Sequence, residues 1–220
     1  MRKILTTILA TAVLTTSAYA ADPTARINKA IRNYDTYVDM RECQMSIEDI
    51  ANFMAVYYGQ NMSASFIDKN LMVYDEDDNG LYDAIELKYK YSKEENTAIT
   101  KFITNKENEL VDRVKGMSQR EQAKYIYKYI VHNYTYDEAL NGDLYYMYKN
   151  NKGICCSFSL AYYRLMSRLN IPCQMVLNSD HTHQWNKIFI DGKWQEVDIT
   201  EGIRLYNTGF PKAEMRAFSR

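Results

Sequence analysis

Asp191-Gly192 is a two-residue turn signal set between two strand-like runs, Trp185–Ile190 and Lys193–Ile199. A turn this short dictates the register of a hairpin. With Ile190 opposite Lys193, Trp185 falls opposite Asp198 and His183 opposite Thr200. Directly opposed residues share a face, and side chains alternate along a strand. His183, Trp185, Asp198 and Thr200 are therefore expected on one side of the sheet. Asp198 is then diagonal to His183, within reach of a side-chain hydrogen bond. His181 has the same parity but lies one step further away.

A cysteine precedes this hairpin at a defined place. Gly153 permits a sharp turn ahead of Cys155, and apolar residues then recur at Phe158, Ala161, Tyr162, Leu165, Met166 and Leu169, the spacing of a helix. Asn170 suits the left-handed residue that ends a helix, and Pro172 blocks continuation. Cys155 is thus expected at a helix N-terminus, where the positive end of the dipole favours a thiolate. Cys156 competes with it, but one helix position turns a side chain by about 100°, so only one of the two thiols can face His183. A buried, inert cysteine is the plainer alternative for Cys155. The His181/His183 pair with Asp180 is a poor zinc set.

These pieces resemble the transglutaminase-like family, whose core shares the papain-like arrangement. The resemblance rests on Gly153-Ile154-Cys155, Leu169-Asn170-Ile171-Pro172, His183-Gln184-Trp185-Asn186, Asp191-Gly192-Lys193-Trp194 and Val197-Asp198-Ile199-Thr200. It covers roughly residues 118–200. Cys156-Ser157 stands where the family has another residue followed by glycine, and Asn170 stands where it has glycine. The family's glycine spacing selects Cys155 over Cys156. The resemblance implies an α+β fold: a papain-like transglutaminase core with its nucleophile at a helix N-terminus, packed on an antiparallel sheet. It also implies a triad of Cys155 as nucleophile, His183 as base and Asp198 as the group that orients the base, with no cofactor and no metal.

The 220 residues suffice for a sizeable core. Met1–Ala20 reads as a signal peptide: Arg2-Lys3, an apolar run Ile4–Leu14, and Ala18-Tyr19-Ala20 as a small-x-small cleavage site. The run is interrupted by threonines and is too short to span a bilayer. A secreted or periplasmic mature protein with no membrane attachment is expected, divided into residues 21–117 and a catalytic core of residues 118–220. Without the leader the chain has 25 basic and 28 acidic residues, and no basic arm suggests nucleic acid. Export makes a disulfide possible among Cys43, Cys156 and Cys173 if Cys155 stays free. Nothing in the sequence sets an oligomeric state.

The amino-terminal region reads as helical with a β-hairpin. Apolar spacing predicts a helix over Thr24–Met40, and Ser46 with Asp49 opens a second, to about Tyr58. Phe66–Tyr74 and Tyr82–Tyr91 read as strands. Between them Asp75-Glu76-Asp77-Asp78-Asn79-Gly80, with Glu86 twelfth, matches a calcium-loop pattern; an acidic turn on Asn79-Gly80 is the plainer reading, because an EF-hand needs flanking helices. Ser92 with Glu95 and Ser118 with Glu121 cap two further helices. The second of these carries His132, read as structural, and leads into Tyr134-Thr135-Tyr136-Asp137, a piece the resembled family also shows. Tyr145–Tyr148 suits core packing, and residues 201–220 carry no motif.

A thiol, an imidazole and a carboxylate in this order suit acyl transfer. The thiolate attacks an amide of a protein or peptide substrate, and a thioester forms. Backbone N–H groups at the helix start are the expected oxyanion donors, and Trp185 is a wall of the acyl pocket. An amine acceptor makes the enzyme a transglutaminase. Water makes it a cysteine peptidase or a cell-wall peptide amidase. A non-catalytic binding module of the same fold is the reading outside enzymes.

Overall fold

The computed structural model describes residues 2–7, 21–139 and 142–207, the first of these segments by backbone alone. The chain divides into two units, residues 1–97 with 179–181, and residues 98–178 with 182–220.

In the first unit, β1 (Arg2–Thr7), α1 (Pro23–Asn33), β2 (Tyr37–Asp39), α2 (Ile47–Gln60), β3 (Asn70–Asp75) and β4 (Ala84–Glu86) follow one another. The strands form an antiparallel sheet in the order β1-β3-β4-β2. Of the expected signal segment, Arg2–Thr7 is strand β1, whereas the cleavage site Ala18-Tyr19-Ala20 lies outside the described residues. The helix predicted over Thr24–Met40 stops at Asn33. Tyr34 takes a left-handed conformation (φ 67°), and the Asp35 N–H closes onto the Ala30 carbonyl at 2.9 Å. That ending releases Val38 to pair with Ile85, where a β-branched side chain packs well. Ser46 and Asp49 cap α2 reciprocally, the Ser46 N–H donating to Asp49 at 3.1 Å and the Asp49 N–H to Ser46 at 3.2 Å.

The predicted strands shorten. Phe66 lies in a 3-10 turn and strand β3 starts at Asn70; β4 ends at Glu86, although Leu87 stays buried. The loop between them is not a two-residue turn on Asn79-Gly80. Asp78 and Gly80 carry the positive φ angles, 57° and 83°. Buried Asp75 accepts from the N–H groups of Asn79 (3.2 Å) and Gly80 (3.0 Å), and Asp83 accepts from that of Glu76 (2.7 Å). Strands flank this acidic loop, not the helices of an EF-hand.

Helix α3 (Lys93–Arg113) runs from the first unit into the second. The second unit continues with α4 (Gln119–Asn133), β5 (Thr135–Tyr136), α5 (Leu144–Asn150), β6 (Lys152–Gly153), α6 (Cys155–Arg168), β7 (Cys173–Leu177), β8 (Gln184–Ile190), β9 (Lys193–Val197) and α7 (Ile199–Asn207). Strands β7, β8 and β9 form an antiparallel sheet in that order, and β5 pairs with β6 in parallel. The fold of this unit is α+β, with α6 laid on the sheet. Phe158, Ala161, Tyr162, Leu165 and Met166 are buried along α6, as their spacing predicts. Polar bonds lock the contact: Asn186 donates to the Ser159 carbonyl at 3.1 Å, and the Ser159 hydroxyl to the Trp185 carbonyl at 3.1 Å. Opposite the sheet, α6 carries Arg164, which grips fully buried Glu107 of α3 through two bonds of 2.6 and 2.9 Å.

Asn170 ends α6 with φ 55°, and the Ile171 N–H returns to the Met166 carbonyl at 2.9 Å. Met147 and Tyr148 of α5 are core, while Tyr146 is exposed. His132 packs its ring against Tyr206 at 4.5 Å. Among the described residues no helix is long and apolar enough to cross a membrane.

Candidate active site

The hairpin adopts the predicted register. Asp191 and Gly192 take φ angles of 54° and 75°, and the ladder runs from Ile190 opposite Lys193 to Asn186 opposite Val197. The strand on the return side ends there. Asp198 is the residue ahead of α7, and Thr200 is buried within that helix, so Thr200 does not share the sheet face as the extended hairpin predicted. The reason is local. Asp198-Ile199-Thr200-Glu201 has the composition of a helix start, and the Asp198 Oδ1 accepts from the Glu201 N–H at 3.0 Å.

The other oxygen of Asp198 meets the histidine: His183 Nε2 and Asp198 Oδ2 are 2.7 Å apart. One carboxylate thus starts a helix and orients a ring. His183 is itself held by its backbone, whose N–H donates to Asn178 Oδ1 at 2.8 Å. The Trp185 ring stacks on it, with centroids 5.7 Å apart and planes 18° from parallel. The Trp185 Nε1 is buried and has no protein acceptor. The two ring nitrogens of His181 have no protein hydrogen-bond partner.

Cys155 is the first residue of α6. The first N–H groups of a helix have no intrahelical partner and carry the positive end of the dipole. Here Ser157 completes the turn: the Ile154 N–H donates to its hydroxyl at 2.9 Å, and the hydroxyl donates to the Ile154 carbonyl at 2.9 Å. The role expected of Gly153 changes. Its backbone is ordinary, but a Cβ there would lie 2.6 Å from Ser157 Oγ and 2.9 Å from Met147 Cγ. Glycine is required for space between β6, α5 and α6, not for a turn.

The Cys155 thiol is lowered to about 5. A hydrogen bond from Cys156 contributes most; burial opposes it, and the Gln184 N–H and the charge and hydrogen bond of His183 add to the lowering. For His183, burial works against the charged form, but the hydrogen bond and charge of Asp198, followed by those of Cys155, outweigh it and raise the imidazolium. Cys155, His183 and Asp198 are therefore in one electrostatic group.

Sequence reasoning did not find the Cys156 thiol or the Gln184 N–H as supports for Cys155. The sequence marks Cys156 as a rival of Cys155 and as a candidate for a disulfide, and it is a free thiol. Its sulfur lies against Gly142, a glycine at φ 78° where a Cβ would strike it. All four cysteines are free thiols: Cys43 is buried, and burial pushes Cys173 up to about 12. The one group of three side chains among the described residues that could hold a metal is Asp75, Asp77 and Asp83, whose carboxylate oxygens lie within 4.8 Å of one another in the first unit.

Residues 108–199 match the model of the transglutaminase-like superfamily. This stretch contains Cys155, His183 and Asp198. Similar solved structures include one described as a TGase (20% identity, TM-score 0.40, covering 63% of this chain and 46% of that one). Another is described as a candidate cysteine protease from Cytophaga hutchinsonii (16%, 0.37, covering 54% and 51%). A third is described as a candidate protease from Parabacteroides distasonis ATCC 8503 (12%, 0.35, covering 58% and 35%). The chain thus spans about half or less of the length of each. No curated protein matches it.

Proposed function

We propose that this protein is a thiol acyltransferase acting on amide groups of proteins or peptides through Cys155, His183 and Asp198. The observation that carries the reading is the 2.7 Å contact of His183 with Asp198, made by a ring that also interacts with a thiol lowered to about 5. The thiolate attacks the amide carbon, forming a C–S bond, and the carbonyl electron pair moves to oxygen. On collapse the C–N bond breaks, and the His183 imidazolium gives its proton to the departing amine. An incoming amine then resolves the thioester. Asp198 keeps the ring oriented and favours its charged form throughout.

Water can resolve the same thioester, which would make the protein a peptidase or amidase. One experiment separates the outcomes. The enzyme is incubated with a glutamine-containing protein and a labelled primary amine, and the products are followed by mass. Label incorporation that requires Cys155 supports transfer. Cleavage or deamidation that requires Cys155 supports hydrolysis. No product and an unreactive Cys155 would reject the enzyme in favour of a binding module.

The leader-like composition of residues 1–20 supports export, with a mature chain starting at Ala21. Such a chain would lack β1, leaving β3 paired with β4 alone. Mass measurement of the native protein tests this, and an intact Met1 end would reject it.

A further inference from the structure

His183 stands just beyond the last rung of a ladder. Strands β7 and β8 pair as far as Leu177 opposite Gln184, and the next two residues, Asn178 and His183, close the loop between them. The Asn178 N–H donates to the His183 carbonyl at 3.1 Å, as a regular antiparallel pair would. The return bond is not regular. The His183 N–H donates at 2.8 Å to the side-chain oxygen of Asn178, Oδ1, which stands in for the main-chain carbonyl. The other end of the amide is used as well, Nδ2 donating to Thr182 Oγ1 at 3.1 Å. A backbone N–H can only donate, so the amide oxygen faces His183 and the NH2 faces Thr182. One side chain thus holds both His183 and the residue ahead of it.

The far end of the His183 ring is fixed separately. Nε2 is 2.7 Å from Asp198 Oδ2, and that carboxylate also accepts from the Glu201 N–H. With Nε2 occupied, Nδ1 is the nitrogen left to exchange a proton with a thiol. Nδ1 is attached to the ring carbon next to Cβ, so its position follows the main chain more closely than that of Nε2. Trp185, stacked on the ring with centroids 5.7 Å apart, limits tilting but leaves sliding within the ring plane open. The main-chain anchor at Asn178 opposes that sliding.

Resting on the acyltransfer reading above, we propose that Asn178 is a positioning residue for that reaction: it holds the main chain of His183 so that Nδ1 is presented to the Cys155 thiol while Nε2 stays on Asp198. Asn178 acts through His183, not on the reacting atoms. Released from Oδ1, the His183 main chain shifts, and the ring keeps one partner at the expense of the other. The charged groups that act on His183 are Asp198 at the head of α7 and Cys155 at the head of α6, and its own loop carries Asp180 and His181. Burial disfavours the imidazolium, so its raised state depends on keeping Asp198 and then Cys155 in place.

The test compares wild type, Asn178→Ala, Asn178→Asp and Thr182→Val. The readouts are kcat and KM with a glutamine-containing peptide and a labelled amine, the pH–rate profile, the pH midpoint of Cys155 alkylation by iodoacetamide, and thermal unfolding. Asn178→Ala is expected to lower kcat about 10²-fold, the cost of a misplacement of roughly 1 Å, with KM within a few-fold. Its alkaline limb should move to lower pH, because His183 loses part of the contact that raises it, and its alkylation midpoint should rise. Asn178→Asp keeps an oxygen for the His183 N–H, so kcat should return to within a few-fold of wild type. Its added negative charge favours the imidazolium and should move the alkaline limb to higher pH. Thr182→Val leaves Oδ1 in place and should fall between wild type and Asn178→Ala. An asparagine that only stabilises the fold would lower Tm on substitution and leave both pH limbs where they are. That result, or turnover of Asn178→Ala within about two-fold of wild type, overturns the proposal. If Asn178→Ala does not fold, Asn178→Asp decides, and an alkaline limb unmoved from wild type overturns it. Alkylation needs no acyl substrate. A wild type that is alkylated but turns over no peptide therefore rejects the acyltransfer reading alone, and the alkylation midpoints still decide for Asn178. A wild-type Cys155 that resists alkylation rejects both before any variant is compared.

Discussion

Asp198 serves His183 with one oxygen and a helix with the other. Its Oδ2 lies 2.7 Å from His183 Nε2, while its Oδ1 accepts the Glu201 N–H at 3.0 Å, three residues into the chain that forms α7. A carboxylate bound on both sides has little freedom to turn, so the ring it orients is held as well. The two duties can be separated by substitution. Asparagine caps a helix about as well as aspartate, whereas alanine does not. Asp198→Asn should therefore keep the stability of the protein but remove the charge that raises His183, moving the alkaline limb of the activity profile to lower pH. Asp198→Ala should show the same change and also lose about 1 kcal/mol of stability. Thermal unfolding and pH–rate profiles of the two variants check this, and equal stability of both would contradict the capping role.

The ionisation of the pair predicts a bell-shaped dependence of the proposed activity on pH. The Cys155 thiol is depressed from 9.0 to about 5, so the thiolate is present above that value and is lost as pH falls through it. His183 is raised above its ordinary 6.5, so the imidazolium that protonates the leaving amine persists past that point and is lost as pH rises further. Between the limbs the protein should hold a thiolate–imidazolium pair. Alkylation of Cys155 by iodoacetamide should follow the acid limb alone. Half-maximal alkylation near the ordinary thiol value would be incompatible with this site.

Cys156 is adjacent to Cys155 and helps to lower its thiol. Cys155→Ala should abolish acyl transfer, while Cys156→Ala should retain a substantial part. Because the Cys156 hydrogen bond contributes most to lowering Cys155, its removal should raise the alkylation midpoint of Cys155 by about one unit, the amount expected for a hydrogen bond to a charged group. Peptide mapping after alkylation at mildly acidic pH should find the label on Cys155. Label on Cys156 instead would reverse the assignment.

Gly153 should tolerate no side chain. An added Cβ would lie 2.6 Å from Ser157 Oγ, 2.9 Å from Met147 Cγ and 3.0 Å from Phe158 Cε1. Gly153→Ala should cost about 1–3 kcal/mol, as overpacking of a filled core does. It should also disturb the Ser157 hydroxyl that closes the start of α6, so activity should fall with stability. Chemical denaturation together with Cys155 alkylation measures both.

Glu107 tests the support on the other face of α6. Its carboxylate is fully buried and takes both bonds of Arg164, with Arg168 3.4 Å away. Glu107→Ala leaves half-buried arginines without a counter-charge and should cost about 3 kcal/mol. For a chain of this size that lowers Tm by roughly 6–12 °C. A drop below about 2 °C would show that water replaces the carboxylate.

What the chain's own order of residues determined is the local geometry. Asp191-Gly192 dictated the hairpin register because positive φ at two successive residues permits one tight turn and one pairing. Serine followed three residues later by a carboxylate marked the starts of α2 and α4 because those caps are formed within one turn. Asn170 and the apolar spacing delimited α6 for the same reason, and with them came the mutual placement of His183 and Asp198. Only the tertiary structure decided what depends on segments distant in sequence. Val38 left the predicted helix because a strand edge at Ile85 was available to pair with it, and no window around Val38 contains Ile85. Gly153 is glycine because α5 and α6 close on it, which its own backbone angles do not reveal. The thiol of Cys156 helps to lower that of Cys155, in a turn packed against Gly142 from the preceding loop. Tyr136 and Arg204, 68 positions apart, meet because β5 and α7 are anchored to the two elements that carry Cys155 and Asp198. Electrostatic and steric contacts fall off within a few ångströms, so such pairings exist only once packing has brought the segments together.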